Sequence, residues 1–273
     1  SGGSRFYNSD LPSAITETGQ WILRQTIDHL TKEGYQVLYG DTDSIFYKLK
    51  AVEVTDPFEK GSLRAKRLNE FLTELLSNQF KVDSHLEIEF ETYYKRFYLS
   101  PVRGGVMGAK KKYAGLILNR SGQEEMEFKG LEVVRSDWTK LAKKFQYELF
   151  EKLFHDQDIF EIIKNIVSEL KESKHDNDLI YKKRLTKPAS EYIKTIPPHV
   201  RAALILDPDG TKRIKEIEYY ISTTGPMPFE GHVKNVDYQH YIDKQLKPVA
   251  EGGLFIYEKS FEDIIVGDQL SLF

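Results

Sequence analysis

The sequence predicts an α+β fold in two consecutive parts: a sheet with helices against it over residues 1–130, then a mainly helical part over 131–266, with a short tail at 267–273. Three observations carry this. Before Gly130 the spacing of apolar residues switches repeatedly between the helical and the strand period. After Gly130 long helical stripes dominate. At 273 residues the chain is long enough for two domains with separate cores, and it carries no internal repeat.

Over residues 11–32, Ile15, Ile22, Leu23, Ile27 and Leu30 recur at helical spacing, Ser9 or Asp10 serving as cap and Gly34 as stop. Residues 36–39 run into Gly40, and Ile45, Tyr47 and Leu49 alternate with Phe46 and Lys48, which predicts a hairpin turning at Gly40 and Asp41. Residues 63–79 read as a helix through Leu68, Phe71, Leu72, Leu75 and Leu76. Strict alternation then predicts strands at 86–91 and 112–118, the latter turning at 119–122 toward Met126 and Phe128. Beyond Gly130, Ser136 or Asp137 is the expected cap of a helix with the stripe Trp138, Leu141, Phe145, Leu149 and Leu153. A second stripe runs from Ile159 to Leu170, and residues 172–178 form a polar connection. A strand at 179–185, a helix at 198–206, a strand at 217–222 and a helix at 237–246 complete the reading.

A net charge of −3 gives the whole molecule no signature of a nucleic-acid binder, so any basic footprint is local. The absence of cysteine excludes a disulfide framework and thiolate zinc sites. The seven histidines show no ligand spacing, and no apolar run approaches a membrane span, so the chain reads as a soluble cytoplasmic protein without a membrane partner.

The stretch YGDTDS at 39–44 places Asp41 and Asp43 one residue apart at a turn. Asp and Ser also populate turns simply because their side chains bond the local backbone. Two carboxylates about 5 Å apart nevertheless repel by roughly 3 kcal/mol at an effective dielectric of about 20. A divalent cation reverses that sign, and oxygen-only ligands suit Mg²⁺. Asp41 and Asp43 are therefore candidate metal ligands. Two basic stretches stand out as well. From Lys95 to Arg120 lie Lys95, Arg96, Arg103, Lys110, Lys111, Lys112 and Arg120 with no acid between them, interspersed with glycines and with Tyr98 and Tyr113. The second, with Lys182, Lys183 and Arg184, is followed by Lys187, Lys194 and Arg201. Either is compatible with a solvated face; together they favour contact with a phosphate backbone.

These residues resemble a known family. YGDTDS resembles the metal-binding hairpin of the family B DNA polymerases, KKKYAG at 110–115 their template-primer-binding KKRYAG element, and KGLEVVRSDW at 129–138 the passage from palm to thumb. LIYKKRL at 179–185, SEYIKTIPPHVRAA at 190–203, TTGPMP at 223–228 and DYQHYIDKQLKPVAEG at 237–252 are similar to its bacterial DNA polymerase II branch, as is the terminal QLSLF. The resemblance covers nearly the whole chain and implies a nucleoid-associated bacterial protein.

What it implies is specific. Residues 1–130 would be the C-terminal portion of a polymerase palm, 131–266 the thumb and 267–273 a clamp-binding tail. Asp43 would be the direct metal ligand and Asp41 the less direct one, with Glu89 as a further carboxylate. Lys110, Lys111, Lys112, Tyr113, Arg135, Lys182, Lys183 and Arg184 would hold primer-template DNA. Lys112 stands where the branch often has Arg, and Ser136 where it has a second Arg, which removes planar phosphate forks. Gln269, Leu270, Leu272 and Phe273 would dock on the bacterial sliding clamp. Nucleotidyl transfer from deoxynucleoside triphosphates by two Mg²⁺ ions needs bridging carboxylates from different strands. The family's exonuclease, first palm motif and fingers have no counterpart in this sequence, so activity is expected to require that N-terminal half. The alternatives are a DNA- and clamp-binding remnant without catalysis and, more remotely, a metal-dependent nuclease.

Overall fold

A computed structural model describes residues 8–101 and 108–266, which form eight α-helices and three small sheets.

 

Of the described residues, 48% are helical and 20% are in strands, the mixture an α+β fold requires. The chain divides into two compact units, one from the described residues up to 95 together with 117–125, the other from the described residues of 96–116 and 126–273.

In the first unit, α1 (Asp10–Lys32) buries Thr26 and Leu30 in its C-terminal half, while residues 10–18 are exposed. Gly34, at φ +80°, ends it. Strands β1 (Gln36–Asp41) and β2 (Ser44–Lys48) pair antiparallel, Gln36 opposite Lys48 and Asp41 opposite Ser44, with an irregularity between Val37 and Tyr39. The turn is thus Thr42–Asp43 and not Gly40–Asp41. Gly40 lies within the strand over Ile27 and Leu23 of α1 and adopts no positive φ. Helix α2 (Pro57–Phe80) starts on the side chain of Asp56, which accepts from the Glu59 N–H at 3.2 Å, and on Pro57 at its first position. Leu30, Tyr35 and Leu68 form the core of this unit, with Val37, Ile45, Tyr47 and Ile88 packed against it.

A polar network fixes both ends of the hairpin. Arg64 of α2 donates to the Glu33 carboxylate and to the Tyr35 hydroxyl, which donates to Glu53 Oε1 at 2.5 Å. Lys50 donates to the Glu33 carbonyl at 2.8 Å and lies 4.4 Å above the Tyr35 ring. The end of α1, the residue before β1, the turn after β2 and α2 are thereby tied together. Removing one member would strand a buried charge, which costs more than the pairing itself contributes.

The alternating residues 86–91 form no strand. Ile88 instead donates its N–H to Asn69 Oδ1 at 2.7 Å, and its carbonyl accepts from Asn69 Nδ2 at 2.8 Å. One side-chain amide of α2 thus takes the place of a partner strand. Strands β3 (Tyr94–Pro101), β4 (Gly108–Leu118) and β5 (Glu124–Lys129) make a sheet in that order, their residues divided between the two units. Between β4 and β5, Asn119 Oδ1 accepts from the N–H groups of Ser121 at 3.0 Å and Gln123 at 2.9 Å, closing the turn.

In the second unit, α3 (Lys140–Phe154) and α4 (Phe160–Lys171) bury the two apolar stripes, with Phe145, Leu149, Ile163 and Leu170 at their centre. The cap of α3 is Thr139, which accepts from Ala142 N–H at 3.3 Å, and neither Ser136 nor Asp137, the two expected caps; Asp137 is bound to Arg135 instead. Strands β6 (Tyr181–Arg184), β7 (Glu216–Ser222) and β8 (Gly225–Pro228) form an antiparallel sheet. Helix α5 (Pro198–Leu206) precedes β7, and α8 (Phe261–Val266) closes the described chain.

The expected helix at 237–246 is interrupted by chemistry in its own sequence. A short α6 (Tyr238–Tyr241) opens into a π-helical turn over Ile242–Leu246 before α7 (Lys247–Leu254). Pro248 has no N–H to donate to the Lys244 carbonyl four residues earlier, and Gln245 Nε2 donates there at 3.2 Å. The same side chain accepts through Oε1 from Thr139 N–H at 3.1 Å and Oγ1 at 3.0 Å. Thr139 is 0% and Gln245 5% exposed. Gln245→Ala is therefore expected to destabilise the chain by about 3 kcal/mol, since it leaves a buried N–H unpaired and a cavity behind it, and urea unfolding measures this.

Candidate active site and nucleic-acid interface

The β1–β2 hairpin places Asp41 at the end of its first strand, half-buried, and Asp43 exposed in the turn. The turn is tight: Asp43 N–H donates to the Asp41 carbonyl at 2.6 Å, and Thr42 between them has φ +53°. A β-branched residue in the left-handed region is strained by about 1–3 kcal/mol and persists where its surroundings over-determine it. Here the ladder on both sides and the polar network at the base supply that constraint. Thr42 Oγ1 donates to Asp41 Oδ1 and Ser44 Oγ to Asp43 Oδ1, each at 3.2 Å, so two hydroxyls orient the two carboxylates. Asp43 makes no ion pair among the described residues.

Glu89 is exposed on the segment pinned by Asn69, beside an open groove along α2 lined by Ser62, Lys66, Asn69 and Thr73. Among the described residues no group of three or more His, Asp or Glu could hold a metal ion, so Glu89 is not gathered with Asp41 and Asp43. The donors at the tip are hard oxygens, the type that Mg²⁺ takes, but two carboxylates do not close a site.

In the second unit, β4 carries a left-handed residue at the lysine-rich element. Lys111 has φ +61°, and Gly130, at φ +63°, lies directly against its carbonyl oxygen. Lys111 is exposed, while Lys112 and Tyr113 are half-buried. Lys112 Nζ is 3.9 Å from Glu132, and Tyr113 packs on Phe97 at 5.2 Å between ring centroids. The side chain of Lys110 lies outside the described residues, as do Arg103, Gln269, Leu270, Leu272 and Phe273.

Several predicted contacts are engaged within the protein. Arg135 grips Asp137 with both arms, Nε to Oδ1 at 2.9 Å and a terminal nitrogen to Oδ2 at 2.7 Å. That bond, more than any other influence, holds the Asp137 carboxyl below its ordinary range, with Lys183 adding a smaller push in the same direction. On one face of β6, Lys182 reaches Glu216 at 2.9 Å and Glu218 at 3.4 Å, and Arg184 lies 3.3 Å from Glu216. Lys183 points to the other face and forms no ion pair among the described residues. Lys95 pairs with Glu124 at 2.5 Å, and Arg96 pairs with Asp156. Tyr98 belongs to the core: it is 6% exposed, donates to the Gly252 carbonyl at 2.7 Å, and burial pushes its hydroxyl up to about 12. The local positive charge is thus smaller than the sequence suggests. The alternation of Glu216 and Glu218 against Lys182 and Arg184 was the signal for this, since antiparallel neighbours at period two face one another.

Comparison with known proteins agrees with this fold. Residues 2–251 match the profile of DNA polymerase family B. The chain is 41% identical to DNA polymerase II of Escherichia coli K12 over 98% of its own length and 35% of that protein. It is 32% identical to DNA polymerase 2 of Aeropyrum pernix, covering 90% of this chain and 28% of the relative. The structure of the family B DNA polymerase from Pyrobaculum calidifontis matches with a TM-score of 0.60 at 29% identity, over 94% of this chain and 31% of that one. The chain thus spans about a third of the length of these relatives. It belongs to the family B DNA polymerases, within the bacterial DNA polymerase II type.

Proposed function

We propose that this chain is the C-terminal palm portion (1–130) and thumb (131–266) of a DNA-directed DNA polymerase, ending in a clamp-binding tail (267–273). The observation that carries the reading is the pair Asp41 and Asp43, oriented by neighbouring hydroxyls at the tip of a constrained hairpin, in a chain of this family. Asp43, with Asp41 beside it, would offer carboxylate oxygens to Mg²⁺, which when bound lowers the pKa of the primer 3′-hydroxyl and stabilises charge on the reacting phosphorus. The remaining ligands would be water, the phosphates of the deoxynucleoside triphosphate and a carboxylate from the upstream polymerase half. Lys111, Lys112 and Tyr113, with Lys110, would position primer-template DNA, and Lys183 would add a phosphate contact. Arg135, Lys182 and Arg184 would reach phosphates by exchanging their present carboxylate partners. Gln269, Leu270, Leu272 and Phe273 would occupy the sliding clamp's peptide pocket.

Primer extension tests the reading. The chain alone is expected to extend nothing, and the chain mixed with a polypeptide bearing the relatives' exonuclease, first palm motif and fingers is expected to extend a primed template. Extension by the chain alone, or none by a mixture that demonstrably assembles, would overturn it.

A further inference from the structure

Ile193 is 87% exposed, the most exposed large apolar side chain among the described residues. Single exposed apolar residues are common on surfaces, but this one sits on a loop that is held in place. Ala189 is buried at its start, and Tyr192 and Ile196 on either side pack against the core. The Tyr192 hydroxyl lies 2.9 Å from Thr186 Oγ1, and Lys187 donates to the Glu191 carbonyl at 2.6 Å while lying 4.8 Å above the Tyr192 ring. The loop's inward positions are filled, and Ile193 is presented outward by a backbone that is already ordered.

The charge around it is one-sided. Residues 182–201 hold six Lys or Arg against one Glu. Lys182 and Arg184 are neutralised by Glu216 and Glu218, but Lys183, Lys187, Lys194 and Arg201 form no ion pair among the described residues. A surface that offers an apolar tip among uncompensated cations fits a partner with regularly spaced anions and apolar edges between them. A nucleic-acid duplex has that chemistry: phosphates line its minor groove, and the deoxyribose faces form the groove walls.

We propose that Ile193 is an apolar wedge packing against sugars in the minor groove of the primer-template duplex, with Lys187 and Lys194 neutralising the phosphates beside it. The proposal rests on the polymerase reading above and adds a residue that positions the duplex.

Fluorescence anisotropy of the chain on a primer-template duplex, at several salt concentrations, tests it. Ile193→Ala is expected to weaken binding about tenfold with an unchanged salt slope and unchanged thermal stability, and Ile193→Leu to stay within about twofold. Lys194→Ala is expected to lower the salt slope by about one. Full affinity in Ile193→Ala alongside a weakened Lys194→Ala would overturn the wedge and leave the duplex grip standing. No binding by the unmodified chain, either alone or mixed with the upstream polymerase half, would overturn the polymerase reading, and the wedge with it. If Ile193→Ala loses retention on phosphatidylserine vesicles but not duplex affinity, the surface serves a membrane and the proposal fails.

Discussion

Asp43→Asn, introduced into the chain and assayed with its complementary polymerase half, is expected to lower primer extension by about 10³-fold or more, equivalent to about 4 kcal/mol of transition-state stabilisation. Thermal stability should not fall. Asp43 is exposed, makes no ion pair among the described residues and accepts only the neighbouring Ser44 hydroxyl at 3.2 Å. The turn itself is closed by backbone, Asp43 N–H to Asp41 carbonyl, and asparagine keeps that bond. Removing one of two adjacent like charges even relieves repulsion in the absence of a cation. Loss of rate without loss of stability is the signature of a ligand and not of a turn residue. Asp41→Asn should cost less, about tenfold to a hundredfold, if Asp41 is the less direct ligand. Single-turnover extension with a Mg²⁺ titration, beside a thermal melt, measures both. Retention of activity within tenfold in Asp43→Asn would remove the aspartate pair from the mechanism.

The hairpin was legible because apolar alternation on both sides of a polar cluster leaves few other readings. Its turn was misplaced by two residues because glycine is taken as the turn former, whereas Gly40 lies in a strand over α1 and a strained Thr42 makes the bend. Alternation at 86–91 predicts a strand that does not form; Ile88 does pack against the core, but periodicity carries no information about what satisfies the backbone, and at Ile88 it is the Asn69 side chain. The helices were read well where a stripe faces one core, as in α3 and α4. The cap of α3 was misassigned because Asp137 had a stronger use: a charged, two-armed bond to Arg135 outweighs a neutral capping bond. At the candidate interface the residue types were visible but their charge balance was not. Glu216 and Glu218 are more than thirty positions from the cations they neutralise, and only strand register brings them there.

Gly130→Ala is expected to cost about 3–5 kcal/mol of stability, combining a left-handed alanine with a forced backbone displacement, and to lower Tm by about 10 °C for a domain of this size. Two separate features oppose the substitution. Gly130 has φ +63°, and a Cβ there would press into the Lys111 carbonyl oxygen, with the carbonyl carbon only 3.2 Å away. The obstructing atom belongs to the backbone of β4, so no rotamer change relieves it. Relief requires that the backbone at Lys111, itself at φ +61°, be moved. Moving it re-aims the residues that follow along β4. Lys112 would move relative to Glu132, and the packing of Ala114 and Leu116, now 0% and 2% exposed, would be disturbed. Gly130→Asn separates the two causes, since asparagine tolerates a left-handed backbone but still carries a Cβ. If the close approach dominates, Asn and Ala variants melt alike and both lose duplex affinity; if backbone conformation dominates, Asn recovers most of the stability and of the duplex affinity.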